Sequence, residues 1–163
     1  MRRTVEPSTT WAYDRGVTRW LDEEQQRTWR AFLAATTALQ AGLDAQLQAD
    51  AGIRHTYYEV LVRLSEAPDR QLRMSALADA AGSSRSRLSH AVAPLAARGW
   101  VRREPCPEDR RGLVAVLTDQ GFAALELAAP GHVEQVRRLL VDRLTPAQVR
   151  SLREISEAIL PDV

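Results

Sequence analysis

The fold of this chain is decided by the stretch ALADAAGSSRSRLSHAVAPLAARGWVRREPCPEDRRGLVAVLT, residues 76–118. The stretch predicts a short helix, capped by Ser75 and ended by Gly82, and then a longer helix from Ser84 to Gly99. Residues that favour β-strands follow on both sides of a charged turn, which predicts a hairpin. A short helix, a turn, a longer helix and a hairpin in this order are typical of a winged helix-turn-helix.

Upstream of this core, residues 22–50 favour one long helix. Asp22 and Gln25 can form its N-terminal cap, apolar residues recur at helical spacing, and Gly52 follows as a stop. At a rise of 1.5 Å per residue the helix would be about 40 Å long. A helix of this length either packs against a partner subunit or crosses its own domain.

A second upstream helix is predicted from the capping pair Thr56 and Glu59 up to Pro68. A short strand is expected after it, at Leu72–Arg73. Residues 1–20 are polar and irregular, and we expect them to form an N-terminal arm that is at most partly ordered.

Downstream of the hairpin, Thr118 predicts the start of another helix, which Pro130-Gly131 is expected to break or kink. Thr145-Pro146, with Gln148 as a cap partner, predicts a final helix that ends near Leu160. The predicted fold is therefore mainly α with a small β-hairpin.

The composition limits the classes of protein to which the chain can belong. The chain has 163 residues, a net charge of +1 and 45% hydrophobic residues, which is typical of one globular domain. All 22 basic residues are arginines, whose planar side chains bind phosphates and guanine edges through paired hydrogen bonds. Because the net charge is small, electrostatic binding must come from local clusters. The sequence has no evident nucleophile–base set and no Gly-rich phosphate loop, so we expect neither an enzyme nor a cofactor.

The sequence also gives expectations about location and metals. No apolar run has the length of a signal peptide or of the roughly 18 residues that span a membrane. One cysteine, Cys106, and three histidines that are far apart in the sequence provide no zinc set. We therefore expect a cytoplasmic protein without metal and without membrane contact.

Polar and basic residues cluster at the start of the longer helix, in SSRSRLSH, residues 83–90. The free N–H groups and the positive end of a helix dipole favour a phosphate there. An inward stripe of Leu88, Val92 and Leu95 would leave the polar side chains facing out, which suits a DNA major groove. The alternative is a capped surface helix with incidental arginines. The predicted DNA-binding residues of this region are Ser75, Ser83, Ser84, Arg85, Ser86, Arg87 and His90.

The tip of the hairpin carries two adjacent arginines, Arg110 and Arg111. Arginines on a ribbon can enter a narrow minor groove, so both are further predicted DNA-binding residues. Asp109 beside them weakens the attraction to phosphate unless it is paired. The alternative is a solvated turn with ion pairs worth under about 1 kcal/mol.

The core sequence resembles the MarR family of winged helix-turn-helix transcription regulators. The resemblance extends from Trp29 to about Leu160, and its most specific parts are Arg98-Gly99-Trp100-Val101, Asp109-x-Arg111 and Val116-x-Thr118. The segment LTPAQVRSLREI, residues 144–155, resembles the closing dimerisation helix of the family. Pro94, inside the longer helix, departs from the commonest pattern and is expected to affect the end of that helix rather than DNA readout.

The resemblance implies a homodimer that binds a pseudo-palindromic double-stranded DNA operator, more often as a repressor. It implies one MarR-like domain over residues 21–163, with dimerisation helices in 21–52 and 119–163 and a winged helix-turn-helix lobe in 53–118. The helix from Ser84 would be the recognition helix, Arg111 would meet the minor groove, and Asp109 would brace the wing through an ion pair.

A sensing function is also expected from the family, whose members often release DNA when a small aromatic ligand binds. The side chains that could line such a pocket are Trp29, Phe32, His55, Tyr57 and Tyr58, although the favoured interpretation of these aromatic residues is ordinary core. Oxidant sensing through Cys106, which we expect to be exposed in the wing, is an alternative. A second alternative to a DNA-binding regulator is a winged-helix module for protein–protein contact.

Overall fold

The computed structural model describes residues 18–106 and 109–160, without the side chains of residues 109–111. The helices in this part of the chain are α1 (Glu23–Ala51), α2 (His55–Glu66), α3 (Met74–Ala80), α4 (Arg85–Ala97), α5 (Asp119–Leu139) and α6 (Pro146–Ile159). The strands are β1 (Gln71–Arg73), β2 (Val101–Cys106) and β3 (Asp109–Leu117), and short 3-10 turns occupy Pro68–Arg70 and Val141–Arg143.

The chain divides into two units, residues 1–35 and 36–163, with the boundary inside α1. In the first unit, the predicted N-terminal cap of α1 is confirmed. The backbone N–H of Gln25 donates to Asp22 Oδ1 at 2.8 Å, and the Asp22 N–H donates back to Gln25 Oε1 at 3.1 Å. Of the predicted N-terminal arm, residues 1–17 lie outside the described residues.

The second unit contains the core and a three-stranded antiparallel sheet in the order β1-β3-β2. The short strand expected at Leu72–Arg73 is confirmed, since β1 pairs with β3 from Gln71 opposite Val116 to Arg73 opposite Val114. The sheet and the second half of α1 enclose a core to which α2–α5 all contribute. Its most buried large side chains are Leu47, Ile53, Leu61, Leu64, Leu77, Val92, Leu95 and Val101.

Three predicted helix starts are confirmed by their caps. Ser84 Oγ accepts from the Arg87 N–H at the start of α4, and Thr118 Oγ1 accepts from the Gly121 N–H at the start of α5. α6 begins with a complete capping box in which Thr145 and Gln148 each accept from the other's backbone N–H.

The predicted caps of α2 and α3 are wrong. α2 begins at His55, one residue before Thr56, because the carboxylate of Asp44 in α1 accepts from the His55 backbone N–H at 2.8 Å. α3 begins at Met74 with no side-chain cap from Ser75, because β1 ends at Arg73 and leads directly into the helix.

The break or kink expected at Pro130-Gly131 does not interrupt α5, which is continuous from Asp119 to Leu139. A proline removes the hydrogen bond to the carbonyl four residues earlier, here that of Glu126. Pro130 and Glu126 are both exposed, so solvent can satisfy this carbonyl. α4 likewise continues through Pro94 to Ala97.

Candidate nucleic-acid interface

The turn between α3 and α4 sets the start of the candidate recognition helix. Gly82 has a φ of +56°, a left-handed conformation that side chains disfavour, and the Ser83 N–H donates to the Ala78 carbonyl at 2.9 Å. The chain then extends through Ser84, which caps α4. The first turn of α4 keeps further backbone N–H groups without a partner inside the helix, at the end where the dipole is positive.

α4 has one buried face and one open face. Leu88, Val92 and Leu95 are 2%, 0% and 0% exposed, which confirms the predicted inward stripe. The side chains on the open face are Ser84, Arg85, Ser86, Arg87 and His90, all of them exposed. Ser83 in the turn and Ser75 in α3 are half-buried, so they lie at the margin of this surface.

The arginines of the open face carry uncompensated charge. Among the side chains that the structure describes, no carboxylate lies within ion-pair distance of Arg85 or Arg87. The ion pairs that the structure does show are elsewhere, for example between Arg102 and Glu104 in β2, at 2.9 Å. A locally positive, hydrogen-bonding helix surface is therefore available to an anionic partner.

A cleft of about 420 Å³ extends this basic surface toward the start of α2. Arg54, Tyr57, Arg87 and His90 contribute to its lining. Tyr57, which the sequence analysis proposed for an effector pocket, thus lies on the same side of the lobe as the open face of α4. Arg54 is a basic contributor that the sequence analysis missed, since nothing in its local sequence relates it to α4.

The hairpin is confirmed as two long antiparallel strands, with Val101 opposite Leu117 at its base. Asp109, Arg110 and Arg111 belong to β3, and their side chains lie outside the described residues, so the predicted groove contact and brace stay predictions. The register shifts between Pro105 and Cys106, so that Cys106 pairs with Asp109. Such an irregularity turns the following side chain toward a different face of the ribbon.

The expectation that Cys106 is exposed is wrong. Its side chain is 6% exposed, because the register shift turns it inward at the end of β2. A thiol must be accessible and at least partly ionised to react with an oxidant. The burial of Cys106 therefore argues against the alternative of oxidant sensing.

The residues of the second unit that were proposed for an effector pocket line two different clefts. His55 and Tyr58 line a cleft of about 320 Å³ together with His132. The rings of Trp29 and Phe32, in the first unit, stack on each other at 6.4 Å between centroids and are largely exposed. Tyr57 lies in the cleft beside α4. The grouping of these five residues in one pocket stays a prediction.

His132 is a functional candidate that the sequence analysis did not select. Its ring lies 5.5 Å from that of His55 and 4.4 Å from that of Tyr58, although His55 and His132 are far apart in the sequence. Nδ1 of His132 is buried and has no hydrogen-bond partner among the described residues. Burial lowers the pKa of His132 below its usual value of 6.5, the nearby His55 lowers it further, and Glu59 acts in the opposite direction. Burial also raises the pKa of Tyr58.

We expect the free energy of unfolding to fall as the pH is lowered below about 6.5. Because His132 has a lower pKa in the folded state, the unfolded chain binds the proton more readily, and stability is lost between the unfolded and the folded pKa. Above the unfolded pKa the residue is neutral in both states and contributes no pH dependence. Urea unfolding at a series of pH values, for the wild type and His132→Gln, measures this contribution. The substitution should flatten the acid limb, whereas His90→Gln, at an exposed position, should not, and equal slopes in all three proteins would refute the assignment.

The described parts of the chain contain no group of three or more His, Cys, Asp or Glu side chains arranged to hold a metal ion. Within the same residues, no helix combines the length and the apolar composition that a membrane crossing requires.

The helix pair α3–α4, the following ribbon β2–β3 and the short strand β1 define a winged helix-turn-helix protein. The chain belongs to the MarR family of transcription regulators rather than to a class of enzymes. The MarR family model matches residues 51–112, which include α2, α3, α4 and most of the ribbon.

Two solved structures from Streptomyces coelicolor support this assignment over most of the chain. Sco3205, a MarR family transcriptional regulator solved in complex with DNA, is 54% identical, with a TM-score of 0.84 over 87% of this chain and 89% of that one. AbsC, also a MarR family transcriptional regulator, is 42% identical, with a TM-score of 0.81 over 87% and 95% of the two chains. The transcriptional repressor MprA of Escherichia coli K12 is 31% identical in an alignment 111 residues long, which covers 57% of this chain and 63% of MprA. The chain thus spans just under two thirds of that curated relative.

Proposed function

We propose that this protein is a homodimeric, sequence-specific DNA-binding transcription regulator that acts as a repressor. The observation that carries the proposal is the two-faced α4, which is fixed to the core by Leu88, Val92 and Leu95. It exposes Arg85 and Arg87, which have no carboxylate partner among the described side chains. A helix of this kind places donors against base edges in the major groove. The similarity to Sco3205, which was solved with DNA, supports the same role for this chain.

The homodimer is supported by apolar side chains that the second unit leaves exposed on α6. This helix has no buried residue, and Val149, Ile155 and Ile159 lie on one side of it with 38%, 58% and 62% of their surface exposed. α1 carries a further exposed apolar group in the first unit, Trp29, Phe32 and Leu33. Contiguous apolar surface of this kind marks an association site, and a second copy would bring two α4 helices to one pseudo-palindromic site.

The wing supplies the second DNA contact in this proposal. Arg110 and Arg111 lie at the start of β3, close to the tip of the ribbon. The base of the ribbon, where Val101 pairs with Leu117, lies at the other end. We place Arg111 at the minor groove and Arg110 at a neighbouring phosphate, with Asp109 bracing the wing.

Release by a small aromatic effector is the regulatory part of the proposal. The cleft of His55, Tyr58 and His132 supports it, because it lies between α2, which packs on α4, and α5, which leads to α6. In this proposal the helices adopt a DNA-binding arrangement and a second arrangement that does not bind DNA. A ligand that binds one arrangement more tightly than the other would change the affinity for DNA.

The proposal is tested by selecting bound duplexes from fragmented genomic DNA with the purified protein. We expect enrichment of a site with two-fold symmetry, whose half-sites lie about one helical turn, or roughly 10 base pairs, apart. No enrichment at moderate salt would favour the protein–protein module instead. Enrichment of an asymmetric site would contradict the homodimer.

Arg87→Ala is expected to relax base preference at one position in each half-site. Loss of an arginine contact to a base costs about 1–3 kcal/mol of discrimination, whereas affinity for unrelated DNA changes little. Competition between the selected duplex and its single-base variants measures the effect, and Arg85→Ala should act at a different base pair. Arg150→Ala in α6 is the control for the loss of one positive charge. If neither Arg85→Ala nor Arg87→Ala changed the base preference, α4 would be excluded as the element that contacts the bases.

Arg111→Ala is expected to weaken binding to every duplex and to reduce the salt dependence by about one unit. The minor groove contact neutralises phosphate charge without strong sequence readout. Anisotropy titrations over a salt series measure the slope, with Arg102→Ala as the control, because Arg102 is already paired with Glu104. Unchanged affinity and slope in Arg111→Ala would show that the wing does not reach the DNA.

A further inference from the structure

The two DNA-facing elements of the lobe, α4 and the wing, are joined by one charged hydrogen bond in the middle of the recognition helix. The guanidinium of Arg103 in β2 donates through Nη2 to the backbone carbonyl of Ser89 in α4, at 2.9 Å. Ser89 lies between Leu88, which faces the core, and His90, which faces outward. The bond therefore attaches to the helix beside its open face rather than at its ends.

The position of Arg103 is fixed by the sheet. It pairs with Ala115 of β3, which is completely buried, so the backbone of Arg103 cannot move without disturbing the core. Neighbouring side chains alternate along a strand, so Arg102 and Glu104 lie on the other face of β2, where they pair with each other at 2.9 Å. Arg103 alone among these three charged residues is directed to α4.

The recognition helix needs an external support at this turn because of Pro94. Proline lacks an N–H, so the carbonyl of His90 loses its helical donor, and the ring crowds the same turn. Arg103 donates to the adjacent carbonyl, that of Ser89, from outside the helix. Beside this bond, Ala93 and Ala96 of α4 and Val101 and Arg103 of β2 line a groove of about 470 Å³.

We propose that Arg103 is a positioning residue that sets the distance between α4 and the wing, so that both can engage one duplex in a single register. The proposal rests on the proposed DNA-binding function. Arg103 itself makes no phosphate contact, because its guanidinium is turned toward the helix backbone. Its loss should therefore reduce the preference for the specific site rather than the general attraction to DNA.

The experiment compares Arg103→Met with Arg102→Met, which removes the same charge from the opposite face of the same strand. Affinity is measured over a salt series for the duplex that the wild type selects and for a scrambled duplex of equal length. We expect Arg103→Met to bind the selected duplex about tenfold more weakly, the loss of one hydrogen bond from a charged donor, with an unchanged salt slope and unchanged affinity for the scrambled duplex. Arg102→Met should match the wild type.

Two outcomes would overturn the proposal. Equal losses on both duplexes, with a slope reduced by about one unit, would make Arg103 a phosphate contact. Identical binding by Arg103→Met and the wild type would show that the link has no role in positioning. Arg103→Lys is the second variant, because its ammonium can still donate to the Ser89 carbonyl, and it should recover part of the lost preference.

A measurement without DNA separates this proposal from the proposed function. Hydrogen exchange of the amides in the turn around Ser89 should become about tenfold faster in Arg103→Met and stay unchanged in Arg102→Met. If the wild type selects no duplex but this exchange result holds, the DNA-binding function fails and the link between α4 and the wing stands. In a Pro94→Ala background, which restores the helical donor, Arg103→Met should cost less, and an equal cost would remove Pro94 from the explanation.

Discussion

Ile155→Glu is expected to convert the proposed homodimer into monomers and to reduce operator affinity by about 100-fold or more. Ile155 is 58% exposed on α6, in line with Val149 and Ile159, and the second unit offers this apolar side no cover. A symmetric interface would contain the substituted residue twice, so two carboxylates would be placed in an apolar contact. Each monomer would then bind a half-site alone and lose the gain of about 10²–10⁴ that linked binding provides.

Sedimentation measures the oligomeric state of this variant, and titration of the selected duplex measures its affinity. Arg150→Gln is the matched control, because it makes the same change of net charge on the opposite side of α6, where the helix is exposed. The variant should stay folded, since Ile155 is not part of the core of its own chain. A dimeric Ile155→Glu protein with normal operator affinity would show that α6 lies outside the interface.

Short-range signals made much of the fold predictable. The caps at Ser84, Thr118 and Thr145 each join residues three positions apart, so the chemistry of the cap is visible in the local sequence. The inward stripe of α4 was predictable for the same reason, because it follows from helical spacing. The resemblance to the MarR family was likewise carried by short motifs of neighbouring residues.

Contacts between distant segments were not predictable in this way. The cap of α2 comes from Asp44 on another helix, and the ring contact between His55 and His132 depends on how α5 packs beside α2. The burial of Cys106 follows from a register shift between the strands that no local sequence pattern predicts. Nothing in the sequence distinguishes Arg103 from other exposed strand residues, because its partner is a backbone carbonyl and any residue type could provide one.

The structure explains what the motif Arg98-Gly99-Trp100-Val101 does in the fold, which the sequence pattern alone does not show. The Arg98 guanidinium donates to the Gly52 carbonyl at 3.0 Å and lies 5.0 Å from the centre of the Trp100 ring. The Trp100 carbonyl accepts from the backbone N–H of Thr118 at 3.0 Å, and the Thr118 hydroxyl donates to the Gly99 carbonyl at 2.7 Å. The motif therefore joins the end of α4, the base of the wing and the start of α5.

Gly121→Ala is expected to destabilise the fold by about 3 kcal/mol at this junction, against the usual gain of up to about 1 kcal/mol for alanine over glycine in a helix. A Cβ at Gly121 would clash with the Trp100 carbonyl oxygen and would lie 2.8 Å from Leu117 Cδ1. The carbonyl accepts from the Thr118 backbone N–H at 3.0 Å, so it cannot rotate away without leaving that donor unpaired. The start of α5 and the base of the wing would have to separate.

Gly131→Ala, in the same helix, is the matched control. A Cβ there would meet Asp50 Oδ2 at 3.0 Å and Gln46 Nε2 at 3.1 Å, which are the ends of flexible side chains that can move. Urea unfolding of both variants at equal protein concentration gives the difference, because the stability of a dimer depends on concentration. Since the wing is carried by the strands that meet at Trp100 and Thr118, Gly121→Ala should also weaken operator binding under conditions where it is still folded. Equal stability of the two variants would mean that α5 can shift away from Trp100 at little cost, and that the base of the wing is not held rigidly against α5.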